Sequence, residues 1–332
     1  MLRPLLAAAA GVALIAAPVS ANDSTAAMGA GGLVLKQTDG IAMLSEDLYV
    51  SAREVRVKYR FVNHTSEPIE TIVAFPMPDV VASFESDVGG DVESDRVVPF
   101  ITWVDEHAVR TQVEHKAMFG EADVSARLAA LAVPLNPAVE TTLAALDRLP
   151  EVELQQLAAA GLVEVYPYTD GDGRPARTLR PNWTLKTTFY WTQYFDPGRE
   201  VVIEHLYAPA IGGSAGSLVG DREIDLPEAA ADYAARYCTD RDFIAAAARK
   251  RAEGLYLTET WVNYVLTTGA NWSGPIRDFR LVVDKGSEDR LVSFCGEGVR
   301  KIGPTQFEVR HQNWTPTRDL EVLILNGHRL EQ

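Results

Sequence analysis

Two Glu-His pairs, Glu106-His107 and Glu114-His115, bring together residue types that hold transition metals and move protons. In one continuous strand the two histidines would share a face, yet lie about 26 Å apart by strand rise, too far for a single ion. Only a bend between them would make a site. His205, next to Glu204, reads as an ordinary strand histidine. Asp170-Gly171-Asp172-Gly173 opens like a calcium loop. Arg174, Pro175 and Pro181, however, occupy the positions that need a ligand, the loop glycine and the closing glutamate. A β-turn tip is expected there. The chain contains no G-x-S-x-G, H-E-x-x-H, P-loop or C-x-x-C motif, so no catalytic residue, metal ligand or cofactor is assigned.

The remaining candidates are aromatic and sulfur-bearing. Tyr190 and Tyr194 fall on the mixed face of one alternating strand, and Trp103 and Trp183 would lie near them if neighbouring hairpins pack. Such rings could hold a glycan or a peptide edge; the same residues also serve as ordinary sheet packing. Cys238 and Cys295 are the two cysteines. In an exported chain they read as a structural disulfide, with two free thiols or a redox pair as alternatives; their spacing fits neither a C-x-x-C centre nor a zinc site. Asn182-Trp183-Thr184, Asn271-Trp272-Ser273 and Asn313-Trp314-Thr315 fit the N-glycosylation acceptor pattern, as do Asn22-Asp23-Ser24 and Asn63-His64-Thr65. The alanine-rich composition and the leader described next read as bacterial, which favours turn and packing roles for these triplets.

Arg3, the apolar run from Leu5 to Ala17 and the small residues Val19-Ser20-Ala21 compose a secretory signal, with cleavage expected near Ala21. The run is shorter than the ~20 residues of a membrane span. Losing the leader removes Arg3, so 31 basic against 46 acidic residues become 30 against 46, and the formal net charge moves from −15 to −16. That balance argues against nucleic acid and anionic membrane surfaces as partners. The leader, with no later apolar run of transmembrane length, argues for an exported, periplasmic chain with no stable membrane insertion after cleavage.

The elements that must position any site are mostly strands. In Glu54 to Pro78, EVRVKYRFVNHTSEPIETIVAFPMP, Val55, Val57, Tyr59 and Phe61 alternate with Arg56, Lys58 and Arg60. One face is apolar and the other cationic, the period of a half-buried strand. Asn63 to Pro68 breaks the pattern, and Ile69 to Phe75 reads as the antiparallel partner that seeds a β-sandwich. Trp183 to Phe195 alternates likewise and is expected to form a hairpin with Val201 to Tyr207. Between them, capping and helix-stop signals at Asp123, Asn136-Pro137, Pro150 and Gly161 predict three short helices, a helical insertion near 117–161.

Gly212 to Ser217 is the best linker candidate. It divides the mature chain into a β-sandwich module at 22–211 and, at 218–332, a helix followed by a second β module, unless one sheet runs through both. Thr239 is the expected cap of that helix, with Asp242 three residues on. The second module repeats itself. Asn271-Trp272-Ser273, Pro275 and Arg277-Asp278-Phe279 parallel Asn313-Trp314-Thr315, Pro316 and Arg318-Asp319-Leu320, and each copy leads into an alternating strand. The fold class expected is mainly β with α, an α+β arrangement of antiparallel sandwich modules.

Asn22 to Thr25 through Gly32-Leu33, Glu54 to Pro78, Trp183 to Tyr207 and Asn271 to Leu325, including Val292-Ser293-Phe294-Cys295-Gly296-Glu297-Gly298-Val299, resemble an exported bacterial family, domain of unknown function 4424. The resemblance spans nearly all of the mature chain and implies no reaction. Phe61 to Pro78 is also similar to the opening strands of inter-alpha-trypsin-inhibitor-type sandwich domains. The D-x-S-x-S motif of the metal-site domain that often accompanies them is absent. A non-enzymatic module binding a protein or envelope component is therefore expected. The rivals are a periplasmic hydrolase or metal-dependent enzyme drawing on His107, His115, His205 and His311, and a structural oligomer.

Overall fold

The computed structural model describes residues 23–29, 32–82, 100–221 and 227–329, and every count below refers to these residues. The expected leader and its cleavage site lie outside them, as does most of the acidic stretch after Asp79. The chain opens with a hairpin, β1 (Ser24–Gly29) and β2 (Gly32–Lys36), followed by β3 (Ile41–Ser51), β4 (Val55–Asn63), β5 (Ile69–Pro76) and β6 (Val80–Val81). Next come β7 (Ile101–Val104), β8 (His107–Val109), β9 (Gln112–Phe119) and β10 (Ala122–Asp123), and then three helices, α1 (Ser125–Ala130), α2 (Glu140–Asp147) and α3 (Glu151–Ala159). Strands return as β11 (Val163–Thr169), β12 (Pro175–Pro181), β13 (Thr184–Phe195), β14 (Glu200–Tyr207) and β15 (Ile211–Ser214). Helices α4 (Pro227–Tyr237) and α5 (Arg241–Ala252) then lead into β16 (Leu255–Tyr264) and a 3-10 turn at Thr267–Asn271. The chain finishes through β17 (Ile276–Asp284), β18 (Leu291–Phe294), β19 (Arg300–Lys301), β20 (Gln306–Trp314) and β21 (Leu320–Arg329).

An eight-stranded sheet, ordered β19-β20-β17-β3-β4-β14-β7-β8, is the backbone of the molecule. Its inner face, with Leu48, Val57, Tyr59, Phe61, Ile203 and Leu281 among its buried residues, belongs to one core. That core also takes in Val73 and Phe75 of β5, Phe189 and Trp191 of β13, Val262 and Tyr264 of β16, and Val322 and Ile324 of β21. Strands β5 and β13 belong to a seven-stranded sheet, and β16 and β21 to a four-stranded one. Two sandwiches thus share one sheet, and the fold is mainly β with α. In β4, burying Val55, Val57, Tyr59 and Phe61 contributes roughly 1.5–3 kcal/mol per side chain. A one-residue slip would drive Arg56, Lys58 and Arg60 into that core, so the register is strongly specified.

The strand boundaries follow the alternation, but the pairing does not. Strands β4 and β5 form no hairpin: β4 pairs with β3 and β14, while β5 pairs with β1 and β13 in the facing sheet. The same holds for β13 and β14, which lie in opposite sheets. Both connections are arches that cross the sandwich. Asn63 joins them from a buried position, its Nδ2 donating to the carbonyls of Glu67 and Phe195 and its Oδ1 accepting from the Thr65 amide. The Gly198 amide, in the second arch, donates to the Asn63 carbonyl. Two apolar strands joined by a long turn satisfy their alternation equally well side by side or face to face. Here the buried amide of Asn63 holds the face-to-face arrangement, since its polar atoms must be paired inside the core.

The helical insertion forms where expected, closing at Gly161 with a positive φ of 74°. Its second helix starts three residues beyond Pro137, Asn136 instead making an Asx turn to the Ala138 amide. The cap of α5 is Asp240, which accepts from the Phe243 amide, rather than Thr239. Gly212 to Ser217 is no tether. Ile211–Ser214 is a strand on β16, and Gly212 lies so close to the Trp261 ring that an added Cβ would meet it at 2.9 Å. The glycine there serves close approach, not flexibility. Strands from both sides of this stretch share the eight-stranded sheet, β17 pairing in parallel with β3. Cys238, after α4, is bonded to Cys295, after β18, with Cα atoms 5.0 Å apart.

Candidate functional site

The outer face of the eight-stranded sheet is polar, as the alternation of β4 requires. Register aligns Arg280 of β17 with Asp47 of β3, Asp47 with Lys58 of β4, Lys58 with Glu204 of β14, and Glu204 with Trp103 of β7. These five residues form one row across five adjacent strands. Arg280 Nη1 donates to both oxygens of Asp47 at 3.0 and 3.2 Å, and Lys58 Nζ donates to Glu204 at 2.8 Å. Beside the row, the Arg56 guanidinium lies 4.7 Å over the Tyr49 ring and pairs with Glu54. The Tyr49 hydroxyl donates to Asp284, and its pKa is raised by partial burial and by that carboxylate. The five residues of the row, with Tyr49 and Arg56, line an open groove of about 420 Å³.

Arg280 is fixed from behind. Its Nε donates to Glu308 at 2.8 Å, and Glu308 also accepts from Arg310 and Arg300 at 3.1 and 3.2 Å. Hydrogen bonds from Arg310 and Arg280 pull the Glu308 carboxyl down to about 2. A carboxyl lowered on folding contributes stability that is present above its unfolded pKa of about 4.3 and is lost as pH falls through the folded value. The gap in urea midpoint between the native chain and Glu308→Gln should therefore be widest near neutral pH and close between about pH 4.5 and about pH 2. A gap that persists at the acid end would mean that the carboxylate charge is not what Glu308 supplies.

The four aromatic candidates are not brought onto one surface. Trp103 is half-buried and lines the groove. Trp183 is 1% exposed, packed in the core under the helical insertion, where its indole N–H donates to the Leu135 carbonyl at 2.7 Å. It anchors the insertion and faces no solvent. Tyr190 and Tyr194 stand on the outer side of the seven-stranded sheet. Tyr190 donates to Gln112, while Tyr194 is 60% exposed and is hydrogen-bonded to Glu70. The groove residues Tyr49, Arg56 and Arg280 were missed as candidates. The one signal in the sequence was the cationic face of β4.

The histidines of the enzyme alternative occupy separate surroundings. His107 and His115 lie in different strands of different sheets, His107 against the Asp105 carbonyl and His115 against the Thr187 hydroxyl. His311 stacks on Phe279 and Trp314. Among the described residues no group of three or more His, Cys, Asp or Glu side chains is placed to hold a metal ion. At Asp170 the chain makes a β-turn tip, Oδ1 accepting from the Asp172 and Arg174 amides with Gly173 at φ 79°.

His205 proves not to be an ordinary strand histidine. Its side chain and that of Asp23 are both 0% exposed, Nε2 lies 3.1 Å from Asp23 Oδ1, and Nδ1 lies 3.0 Å from the Thr102 hydroxyl. Phe75, Phe100, Trp191 and Tyr59 surround the imidazole. Burial pushes the Asp23 carboxyl up, and His205 opposes that shift. Asp23 also accepts from the Trp272 indole through its carbonyl, and Ser24 accepts from Asn271. The first tryptophan triplet of the C-terminal repeat thus holds the start of β1. The pair is sealed between the sheets, where it secures the fold.

A sequence model of the family described as domain of unknown function, DUF4424, matches residues 21–323. The chain belongs to this family. No curated protein matches it. Among solved structures, this DUF4424 chain is similar to one from Legionella pneumophila, described as a candidate nutrient binding protein. Identity is 13%, the match covers 92% of this chain and 70% of that one, and the TM-score is 0.44. So distant a likeness bears on no ligand. No helix among the described residues of the DUF4424 chain is long and apolar enough to cross a membrane.

Proposed function

We propose that this chain is an exported, periplasmic, non-enzymatic module that binds an envelope component through the outer face of its eight-stranded sheet. The observation that carries the reading is the groove itself. Aromatic and charged side chains from strands distant in sequence converge there, the charged ones and Tyr49 each held by a partner behind or beside it, as ligand sites require. The leader and the Cys238–Cys295 bond support an oxidising compartment. Tyr190 and Tyr194, on the opposite outer face, are a secondary contact in this reading.

A photo-crosslinking residue in place of exposed Ala108, which pairs opposite Trp103, tests the reading in intact cells. A defined adduct is expected from this position, and it should be lost when Trp103→Ala is added. The same probe at Tyr194 reports on the other face. Adducts from Tyr194 alone, or an Ala108 adduct indifferent to Trp103, would move the binding surface off the groove.

A further inference from the structure

We infer that the ligand of the groove is an uncharged polyhydroxylated chain, an oligosaccharide lying across the strands with one sugar ring on Trp103. This rests on the binding-module reading and adds the chemical class. The first argument is spacing. Arg280, Asp47, Lys58, Glu204 and Trp103 each come from a different, adjacent strand, so they repeat at the strand separation of about 4.8 Å. That step is close to the length of one hexose unit in an extended glycan. A ligand running perpendicular to the strands meets a new side chain with each sugar.

The second argument is charge. Along the row the groups alternate donor, acceptor, donor, acceptor, and each cation already holds its carboxylate: Arg280 with Asp47, Lys58 with Glu204, and Arg56 with Glu54 alongside. An anionic ligand would meet the paired carboxylate beside each cation and gain little net attraction. A hydroxyl both donates and accepts, so it adds to the spare lone pairs of a carboxylate and the remaining N–H groups of a cation without breaking the pair. Such bonds to charged groups are stronger than neutral ones. The row therefore offers fixed polar contacts with no net charge to select an ion.

The third argument is the end of the row. Trp103 is half-buried in the sheet face, and its strand neighbour on the far side is the small residue Ala108. A tryptophan face carries negative potential and a large apolar area, suited to the C–H face of a pyranose ring. Tyr49, covered by Arg56, forms the groove's other wall. The volume of about 420 Å³ lies in the range of small-molecule sites.

The test is titration of the purified exported chain with cellohexaose, maltohexaose and chitohexaose. A galacturonic acid hexamer is the carboxylated counterpart, and tryptophan fluorescence and calorimetry are the readouts. At least one neutral hexamer should bind, with an affinity unchanged within about twofold between low and high salt, since no charge is screened. Trp103→Ala should weaken that binding at least tenfold, and Trp103→Phe should retain most of it; unchanged thermal melts show that both variants fold. The inference is overturned if no neutral hexamer binds or if Trp103→Ala leaves affinity intact. Tighter, salt-sensitive binding of the galacturonic acid hexamer also overturns it and makes the ligand an anion. A protein adduct at Ala108 without glycan binding removes the sugar and keeps the module; no adduct and no glycan removes both.

Discussion

His205→Ala is expected to lower the unfolding free energy by about 3–5 kcal/mol, the usual cost of breaking a buried pair by removing one partner. Asp23 and His205 are both wholly inside the sandwich, so the carboxyl left behind loses its imidazole partner within the protein interior. The Thr102 hydroxyl loses its partner as well. The effect should depend on pH with a definite sign. Burial already pushes the Asp23 carboxyl above its ordinary range, and His205 is what holds it back. Without His205 the folded-state pKa rises further above the unfolded value of about 3.9. An acid raised in this way favours folding below the unfolded pKa and loses that contribution as pH rises through the folded one. The His205→Ala deficit in urea melts should accordingly be smallest in acid and widen as pH rises through the native Asp23 value, and adding Asp23→Asn should narrow it at the upper end. A deficit below about 1 kcal/mol at every pH would show that the pair is solvated.

Breaking the Cys238–Cys295 bond is the second large effect. The cysteines are 57 residues apart in sequence, and the chain-entropy relation puts the constraint at up to about 4 kcal/mol. The bond ties the end of α4 to the four-stranded sheet. Tyr237 packs in the same satellite core as Leu323 and Leu325, and Arg318 donates to the Ala235 and Arg236 carbonyls, so α4 keeps other anchors. The native fold should therefore persist under reducing conditions while its stability falls. The chemical-denaturation midpoint is expected to drop on reduction and to match that of a Cys238→Ser/Cys295→Ser chain. Hydrogen exchange should accelerate first in Pro227–Tyr237. An unchanged midpoint would mean that the unfolded chain gains little freedom from losing the link.

Family membership and the mainly β class were legible in the sequence, and so were most strand positions. Alternation reports burial directly: Val55, Val57, Tyr59 and Phe61 are core because each is apolar at every second position. The cystine pairing needed no geometry, as there were only two cysteines. Cap residues missed by one to three positions, because an Asx turn and a true N-cap use the same residue types.

Partnership between elements was decided only by the tertiary structure. Nothing in Val55 to Pro76 distinguishes a hairpin from an arch, since both bury the same side chains; the buried Asn63 amide, bonded to residues 4 and 132 positions away, settles it. Trp183 and Trp103 look alike in sequence, yet one is sealed under the helical insertion and the other lies open in a groove. His205 reads as a strand residue until Asp23 arrives from 182 positions earlier. The row from Arg280 to Trp103 is likewise a product of register. The sequence by itself determined which face of each strand is polar, because side chains alternate locally. Which polar residues stand side by side depends on long-range pairing, and local periodicity carries no information about it.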